Sequence, residues 1–148
     1  MTTGDKVIIR NLAKKVRAEV INWINYGNNY DIDPHTMVGT CAIASYALFK
    51  VLRANGYRVT FVCGVDDNDH GGHCWVKYKD IIIDITAVQF GDYPDVLIRE
   101  TKRYPILKHF PNIFINNKAL EVVWDWGGQS PLIYMSTIDN LAKRLTPN

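Results

Sequence analysis

Residues 72–87 read GHCWVKYKDIIIDITA, and this stretch decides the fold. It contains two segments rich in β-branched and aromatic residues, His73–Tyr78 and Ile81–Thr86, separated by Lys79 and Asp80. This composition is typical of β-strands, and a short polar connection between two such segments predicts an antiparallel hairpin. We therefore expect a strand hairpin at the centre of the domain.

The length of the connection determines which side chains share a face of this hairpin. If the loop has two residues, Tyr78 lies opposite Ile81 and Trp75 lies opposite Asp84, because the pairs of an antiparallel ladder follow one another in register. His73 and Asp84 are then diagonal neighbours on one face. Lys-Asp is not a preferred two-residue turn, and a four-residue loop would keep the same parity.

Asp84 lies inside an otherwise apolar run, Ile81–Ala87. A carboxylate in such a run costs free energy unless it has a partner. The hairpin offers His73 as that partner. The carboxylate would fix the tautomer of the imidazole and stabilise its cation.

Helices are predicted on both sides of a first loop. From about Val7 to Tyr26, apolar residues recur at helical spacing, and charged residues lie on the opposite side of the predicted helix. The apolar set is Ile9, Leu12, Ala13, Val16, Val20, Trp23 and Ile24, and the polar set is Lys14, Lys15, Arg17 and Glu19. Whether residues 6–10 join this helix or form a short strand is open, and residues 28–39 are typical of a loop.

A second helix follows this loop. It begins behind Thr40, whose hydroxyl is expected to cap it, and it ends at Asn55-Gly56. Most positions between are apolar or small, which predicts a largely buried helix. The next segment, Tyr57–Gly64, alternates as a strand does.

The C-terminal third is harder to assign. Residues 92–111 are mixed and broken by prolines, and Ala119–Trp126 reads as another strand. Ser136–Asp139 has the pattern of a capping box that opens a last helix to about Leu145. The predicted fold class is α+β, with N-terminal helices packed on an antiparallel sheet.

Composition bounds the class of protein. The chain has 148 residues, of which 47% are hydrophobic and 22% charged, which excludes a disordered chain and fits one domain over residues 1–148. A net charge of +2 does not exclude a nucleic-acid partner, but it gives no basic excess that would favour one, and we expect none. The N-terminal segment lacks a signal-peptide core, and no apolar run is long enough for a membrane span.

The number of cysteines predicts the cellular compartment of the protein. Three cysteines, an odd and small number, argue against a disulfide framework and favour the reducing cytoplasm. We therefore expect a cytoplasmic protein with no membrane partner. Delivery into a host cell and the oligomeric state are left open.

The strongest chemical signal is Cys41, at the start of the second helix behind Gly39-Thr40. A helix N-terminus presents unpaired N–H groups and a partial positive charge, and both favour a thiolate. The same N–H groups can stabilise the oxyanion of a tetrahedral intermediate. A thiol here, with His73 and Asp84 on paired strands, fits nucleophilic catalysis.

The motifs Gly39-Thr40-Cys41-Ala42, Gly72-His73-Cys74-Trp75-Val76 and Ile83-Asp84-Ile85-Thr86 occur in this order. This arrangement resembles the transglutaminase-like branch of the papain-like cysteine protease superfamily, over about residues 39–91. The resemblance implies a papain-like core, with Cys41 as nucleophile, His73 as general base and then acid, and Asp84 as the residue that orients His73.

The same resemblance implies acyl transfer on an amide through a thioester, without a cofactor or a metal. The substrate is then a peptide or protein, and a glutamine side chain is one candidate. Relatives include cysteine peptidases (thiol proteases), deamidases and transglutaminases. The chain is shorter than a full animal transglutaminase and has no evident calcium loop, so it would be a minimal catalytic core.

Four further residues are candidates for the oxyanion hole or for substrate binding. Asn29 or His35 is favoured as the oxyanion donor that relatives place before the thiol. Trp75 shares the face of His73, where it either walls the cleft or packs in the core. Gln89 follows the strand of Asp84 and could touch the substrate.

Three other interpretations are open. A catalytically inactive binding module could retain the same fold. A zinc module could use Cys63, His70, His73 and Cys74, but their spacing fits no standard zinc pattern, and His73 and Cys74 should point to opposite faces. A nucleic-acid interface could use three scattered basic pairs, Lys102-Arg103, Lys108-His109 and Lys143-Arg144, although a solvated surface explains them better.

Overall fold

The structure is a computed structural model that describes residues 1–27, 40–68, 71–124, 126 and 130–147, with residues 26 and 27 described through their backbone. It contains helices on an antiparallel sheet, as the sequence predicts. The helices are α1 (Thr3–Gly27), α2 (Cys41–Ala54), α3 (Asn116–Val123) and α4 (Met135–Arg144). The strands are β1 (Val59–Val65), β2 (Gly72–Tyr78), β3 (Ile81–Asp84), β4 (Leu97–Glu100) and β5 (Asn112–Ile115).

The sheet has five strands in the order β4-β3-β2-β1-β5. Every neighbouring pair is antiparallel. Tyr78 pairs with Ile81 and Val76 pairs with Ile83, which confirms the two-residue connection between β2 and β3. Lys79, the first residue of that connection, adopts a φ of 54°, a conformation that lysine seldom occupies. The pairing of the strands therefore overrides the poor turn propensity of Lys-Asp.

Helix α1 is longer than the sequence predicts and includes residues 6–10, so no strand forms there. The apolar residues predicted for this helix are buried, except Trp23, which is half-buried and stacks on Tyr134. Arg17 was expected on the solvent side but is 8% exposed. Its Nε donates to the Ile85 carbonyl at 3.3 Å, and its guanidinium pairs with Asp95 at 3.4 Å, so the charge is buried with partners.

Helix α2 is buried along most of its length. Thr40 precedes it, but its hydroxyl makes no capping hydrogen bond, so that part of the prediction is wrong. The predicted stop is confirmed, because Gly56 has a φ of +88° that favours glycine.

Two assignments in the C-terminal third are wrong. Residues 119–123 belong to α3 and not to a strand, because Ala119 and Val123 are one helical turn apart and both are buried against the core. The predicted last helix is confirmed as α4, but it begins at Met135, so Ser136 lies inside its first turn and does not cap it. The segment 92–111, which the sequence left unassigned, contains β4.

Successive side chains of a strand point to opposite faces of the sheet, so the buried side chains form two clusters, one on each face. Cys63, Cys74, Val76 and Ile83 belong to the cluster that includes residues of α1, α2, α3 and α4. The other cluster contains Val62, Trp75, Ile82, Ala87, Leu97, Tyr104, Ile106 and Phe110. Because side chains alternate, His73 and Asp84 fall on the second face with Trp75 and Ile82.

Among the residues that the structure describes, no helix combines the length and the apolar character that a membrane crossing needs.

We predict that Gly64→Ala destabilises the protein. Gly64 pairs with His73 in the sheet, and a Cβ at this position would lie 2.8 Å from the backbone oxygen of Phe110 and 2.9 Å from the Trp75 ring. Overpacking of this kind costs about 1–3 kcal/mol. Urea unfolding would measure it. The control is Gly4→Ala in α1, where the nearest atom is 3.8 Å away. An equal unfolding free energy for the two variants would contradict the prediction.

Candidate active site

The site is built around a hydrogen bond between β2 and the end of β3. Nε2–H of His73 donates to Oδ2 of Asp84 at 2.7 Å. Both side chains are fully buried. His73 is the second residue of β2 and Asp84 the last of β3, so the register of the hairpin brings them to the same end of the sheet. The structure thus joins the two residues that the sequence places as diagonal neighbours.

Asp84 has further hydrogen-bond donors. Oδ2 accepts from the Tyr104 hydroxyl at 2.6 Å, and Oδ1 accepts from the Thr86 backbone N–H at 2.9 Å and from its hydroxyl at 3.4 Å. Tyr104 is a site residue that the sequence does not reveal. A buried carboxylate requires several donors, which is a reason to search for one, but nothing in residues 101–104 marks the tyrosine.

Charge pairing outweighs burial at this hydrogen bond. Burial disfavours the imidazolium, but the charge of Asp84 and its hydrogen bond raise the pKa of His73 to about 10. Burial likewise opposes the carboxylate, yet the charge and hydrogen bond of His73 hold the pKa of Asp84 below its usual value. The two groups therefore form a buried ion pair.

Cys41 is the first residue of α2 and is 5% exposed. A hydrogen bond from the Cys74 thiol lowers the pKa of Cys41, burial opposes this, and the hydrogen bond and charge of His73 lower the pKa further. A backbone hydrogen bond from Cys74 acts in the same direction. The net pKa of Cys41 lies well below the ordinary thiol value, so the structure favours a thiolate beside an imidazolium.

A serine anchors the first turns of α2 against β2. The Ser45 hydroxyl donates to the Cys74 carbonyl at 3.0 Å, and both residues are buried. Ser45 follows Cys41 by four residues, which places the two side chains on the same side of the helix. The strand residue that follows His73 therefore sets the position of the thiol.

Gln89 lies at the other nitrogen of the imidazole. Its Nε2 is 3.1 Å from Nδ1 of His73 and donates to the Thr86 hydroxyl at 3.3 Å. Nδ1 is the nitrogen that Asp84 leaves unused, and in the neutral ring it accepts the amide hydrogen. Gln89 was predicted as a substrate contact, and the structure places it against His73.

Aromatic rings enclose the imidazole. Phe90 meets it edge to face with ring centroids 4.6 Å apart, and Phe110 lies 6.1 Å away. Trp75 is 5.8 Å from His73 and packs its edge on Tyr104 at 5.4 Å. Trp75 is only 2% exposed, so it packs in the core, whereas Phe90 is 40% exposed and forms the solvent side. Phe90 is a further site residue that the sequence does not reveal.

Other predicted residues take no part in this geometry. Asn29 and His35 lie outside the described residues, as does His70 of the zinc alternative. Within the described part of the chain, no group of three or more His, Cys, Asp or Glu side chains could hold a metal ion.

The comparisons with known proteins give no match: no protein-family model, no curated protein and no solved structure resembles the chain. The interpretation of the site therefore rests on its geometry and chemistry.

We predict that Tyr104→Phe destabilises the protein and raises the pKa of Asp84. Tyr104 is 4% exposed, and its hydroxyl bonds a charged carboxylate, an interaction that contributes about 1.5–3 kcal/mol. Urea unfolding measures the loss. The matched control is Tyr78→Phe, a half-buried tyrosine on β2. If both variants unfold at the same urea concentration, Tyr104 has no such role.

Proposed function

We propose that the chain is a cysteine-nucleophile hydrolase or acyltransferase that acts on an amide bond through a thioester intermediate. Cys41 is the nucleophile, His73 the general base and acid, and Asp84 the residue that orients His73. The observation that carries the proposal is the 2.7 Å hydrogen bond between His73 and Asp84, with the same imidazole lowering the pKa of the Cys41 thiol.

The two nitrogens of the His73 imidazole have different partners, which supports this assignment. Nε2 is committed to Asp84, so Nδ1 is the nitrogen that exchanges a proton with the thiol and the substrate. Asp84 keeps the ring orientation fixed and stabilises its cation. Gln89, at 3.1 Å from Nδ1, limits rotation of the ring from the other side.

In the first step, the Cys41 thiolate attacks the carbonyl carbon of the amide, and a tetrahedral oxyanion forms. As the C–N bond breaks, Nδ1 of His73 gives its proton to the leaving nitrogen, which departs as an amine or as ammonia. The products are a thioester on Cys41 and a neutral His73.

In the second step, His73 removes a proton from water or from an amine, and the resulting nucleophile attacks the thioester. The C–S bond breaks, and Cys41 leaves as a thiolate. Water gives a carboxylic acid, as in peptide hydrolysis or glutamine deamidation, and an amine gives a new amide, as in cross-linking.

Backbone N–H groups at the start of α2 are suited to bind the oxyanion. The first helical hydrogen bond there runs from the Ala44 N–H to the Thr40 carbonyl at 2.9 Å. The N–H groups of Cys41 and Ala42 precede it and have no acceptor within the helix. They lie beside the reacting sulfur, where donors stabilise a tetrahedral intermediate most strongly.

The substrate we propose is a peptide or protein, with a backbone amide or a glutamine side chain as the acyl donor. The half-exposed Phe90 ring beside His73 offers an apolar contact for the substrate chain. The order of Cys41, His73 and Asp84 and the helix-then-sheet arrangement support placing the chain with the transglutaminase-like branch of the papain-like superfamily.

The test measures amide turnover on glutamine-containing peptides, with three readouts: new peptide amino termini, released ammonia and incorporated amine. We expect one of these activities in the unmodified protein and its loss by at least about a hundredfold in Cys41→Ala, since the nucleophile is absent. Cys63→Ala, which removes a buried thiol on β1, is the matched control and should keep the activity.

Circular dichroism of both variants checks that the fold is retained. Full turnover by Cys41→Ala would exclude the thiol mechanism. If the unmodified protein turns over no amide and a reagent alkylates its three cysteines at equal rates, the chain is instead a binding module on this fold.

A further inference from the structure

A second thiol lies directly beside the proposed nucleophile. Cys74 follows His73 on β2, and because side chains alternate along a strand, it points to the face on which α2 packs. Its carbonyl accepts the hydrogen bond from Ser45, one turn beyond Cys41, at 3.0 Å. The first turns of α2 thus rest on Cys74, Cys41 and Cys74 lie in the same buried cluster, and each thiol shifts the pKa of the other.

A third thiol, that of Cys63, lies on the other side of Cys74. Cys63 on β1 is the direct register partner of Cys74 in the sheet, and both residues belong to the buried cluster on the α2 face. Cys74 therefore lies between Cys41 and Cys63. All three are buried free thiols, and 5% exposure makes Cys41 the most accessible of them.

The two adjacent thiols differ in protonation. The pKa of Cys41 is lowered, whereas burial and the neighbouring thiols Cys41 and Cys63 raise the pKa of Cys74 well above its ordinary value. Since thiolates react with oxidants and thiols do not, oxidation should begin at Cys41. Cys74 stays protonated until Cys41 is oxidised. The neutral sulfenic acid then no longer raises the pKa of Cys74 through the charge of Cys41, and Cys74 can lose its proton and attack the oxidised sulfur.

We propose that Cys41 and Cys74 form a reversible disulfide when a peroxide oxidises Cys41, and that this disulfide blocks the nucleophile and protects it from further oxidation. The proposal uses the thiol of the proposed function, but it requires only that Cys41 be the reactive cysteine and not that it turn over an amide.

The chemistry balances in two steps. The Cys41 thiolate attacks one oxygen of hydrogen peroxide, the O–O bond breaks, and the hydroxide that leaves takes a proton to become water, which gives Cys41 sulfenic acid. The Cys74 sulfur then attacks the Cys41 sulfur, the S–O bond breaks, and the hydroxide leaves with the Cys74 proton as water. A dithiol returns both residues to thiols and is itself oxidised to a disulfide.

The experiment treats the full chain with an equimolar amount of hydrogen peroxide, blocks remaining thiols with N-ethylmaleimide in denaturant, and maps the peptides by mass spectrometry. Trypsin leaves Cys63 and Cys74 on one peptide, because no lysine or arginine separates them, so a second protease that cleaves before Asp66 is needed. We expect a peptide pair linked through Cys41 and Cys74. Dithiothreitol should remove the link and restore alkylation of Cys41.

Two alanine variants sharpen the assignment. Cys74→Ala should give no cross-link, and its Cys41 should proceed to the sulfinic acid, which dithiothreitol does not reverse. Cys63→Ala, the matched variant at the paired position of β1, should still form the Cys41–Cys74 link. If Cys74→Ala does not fold, the cross-link map of the unmodified protein and of Cys63→Ala decides the question.

Irreversible oxidation of Cys41 in the unmodified protein, with Cys74 still reduced, would overturn the proposal, and so would a link between Cys63 and Cys74 alone. Amide turnover measured before oxidation separates this result from the proposed function. If the protein forms the Cys41–Cys74 disulfide but turns over no amide, the disulfide proposal stands and the proposed function fails. If it turns over an amide but forms no disulfide, the proposed function stands and the disulfide proposal fails.

Discussion

The hydrogen bond between His73 and Asp84 is the interaction on which the rest of the site depends. Two ionisable side chains with no exposed surface face each other at 2.7 Å, and each would be costly to bury alone. Tyr104 and Thr86 supply further donors to the carboxylate. Because removal of any one partner leaves a buried charge incompletely bonded, this network ties β2, β3 and the segment that follows β4 into a single arrangement.

That network also links the two faces of the sheet. His73 belongs to the face with Trp75 and Tyr104, whereas the next residue, Cys74, belongs to the face covered by α2. Both residues act on Cys41, since Cys74 and His73 each lower the pKa of its thiol. The first turn of α2 therefore lies where one strand presents an imidazole and a thiol in succession. The same position explains both the proposed catalysis and the proposed disulfide.

The local part of this arrangement follows from the sequence. A two-residue connection at Lys79-Asp80 sets the parity that brings His73 and Asp84 to one face, and an aspartate inside an apolar run requires a partner. The thiol at the start of α2 follows from the predicted helix boundary behind Thr40, which is correct although the Thr40 hydroxyl does not cap the helix. These features depend on neighbours close in the chain or directly across a hairpin.

The remaining features depend on contacts between distant segments. Tyr104 reaches Asp84 from a region broken by prolines, where no periodic pattern exists to predict a direction. Arg17 has the sequence pattern of an exposed residue, and its burial is explained by bonds to Ile85 and Asp95, which lie far from it in the chain. Residues 119–123 have the apolar character of a strand, but their burial at Ala119 and Val123 is that of a helix, and tertiary packing decides between the two.

The most direct test of the account is the rate at which Cys41 is alkylated by iodoacetamide as a function of pH, followed by mass spectrometry in the unmodified protein and in Asp84→Asn. The account predicts a midpoint well below the ordinary thiol value of about 8.5. It also predicts that Asp84→Asn moves the midpoint upward, because His73 loses the carboxylate that stabilises its cation. A midpoint at the ordinary value that is the same in both proteins would contradict the relay from sulfur to imidazole to carboxylate.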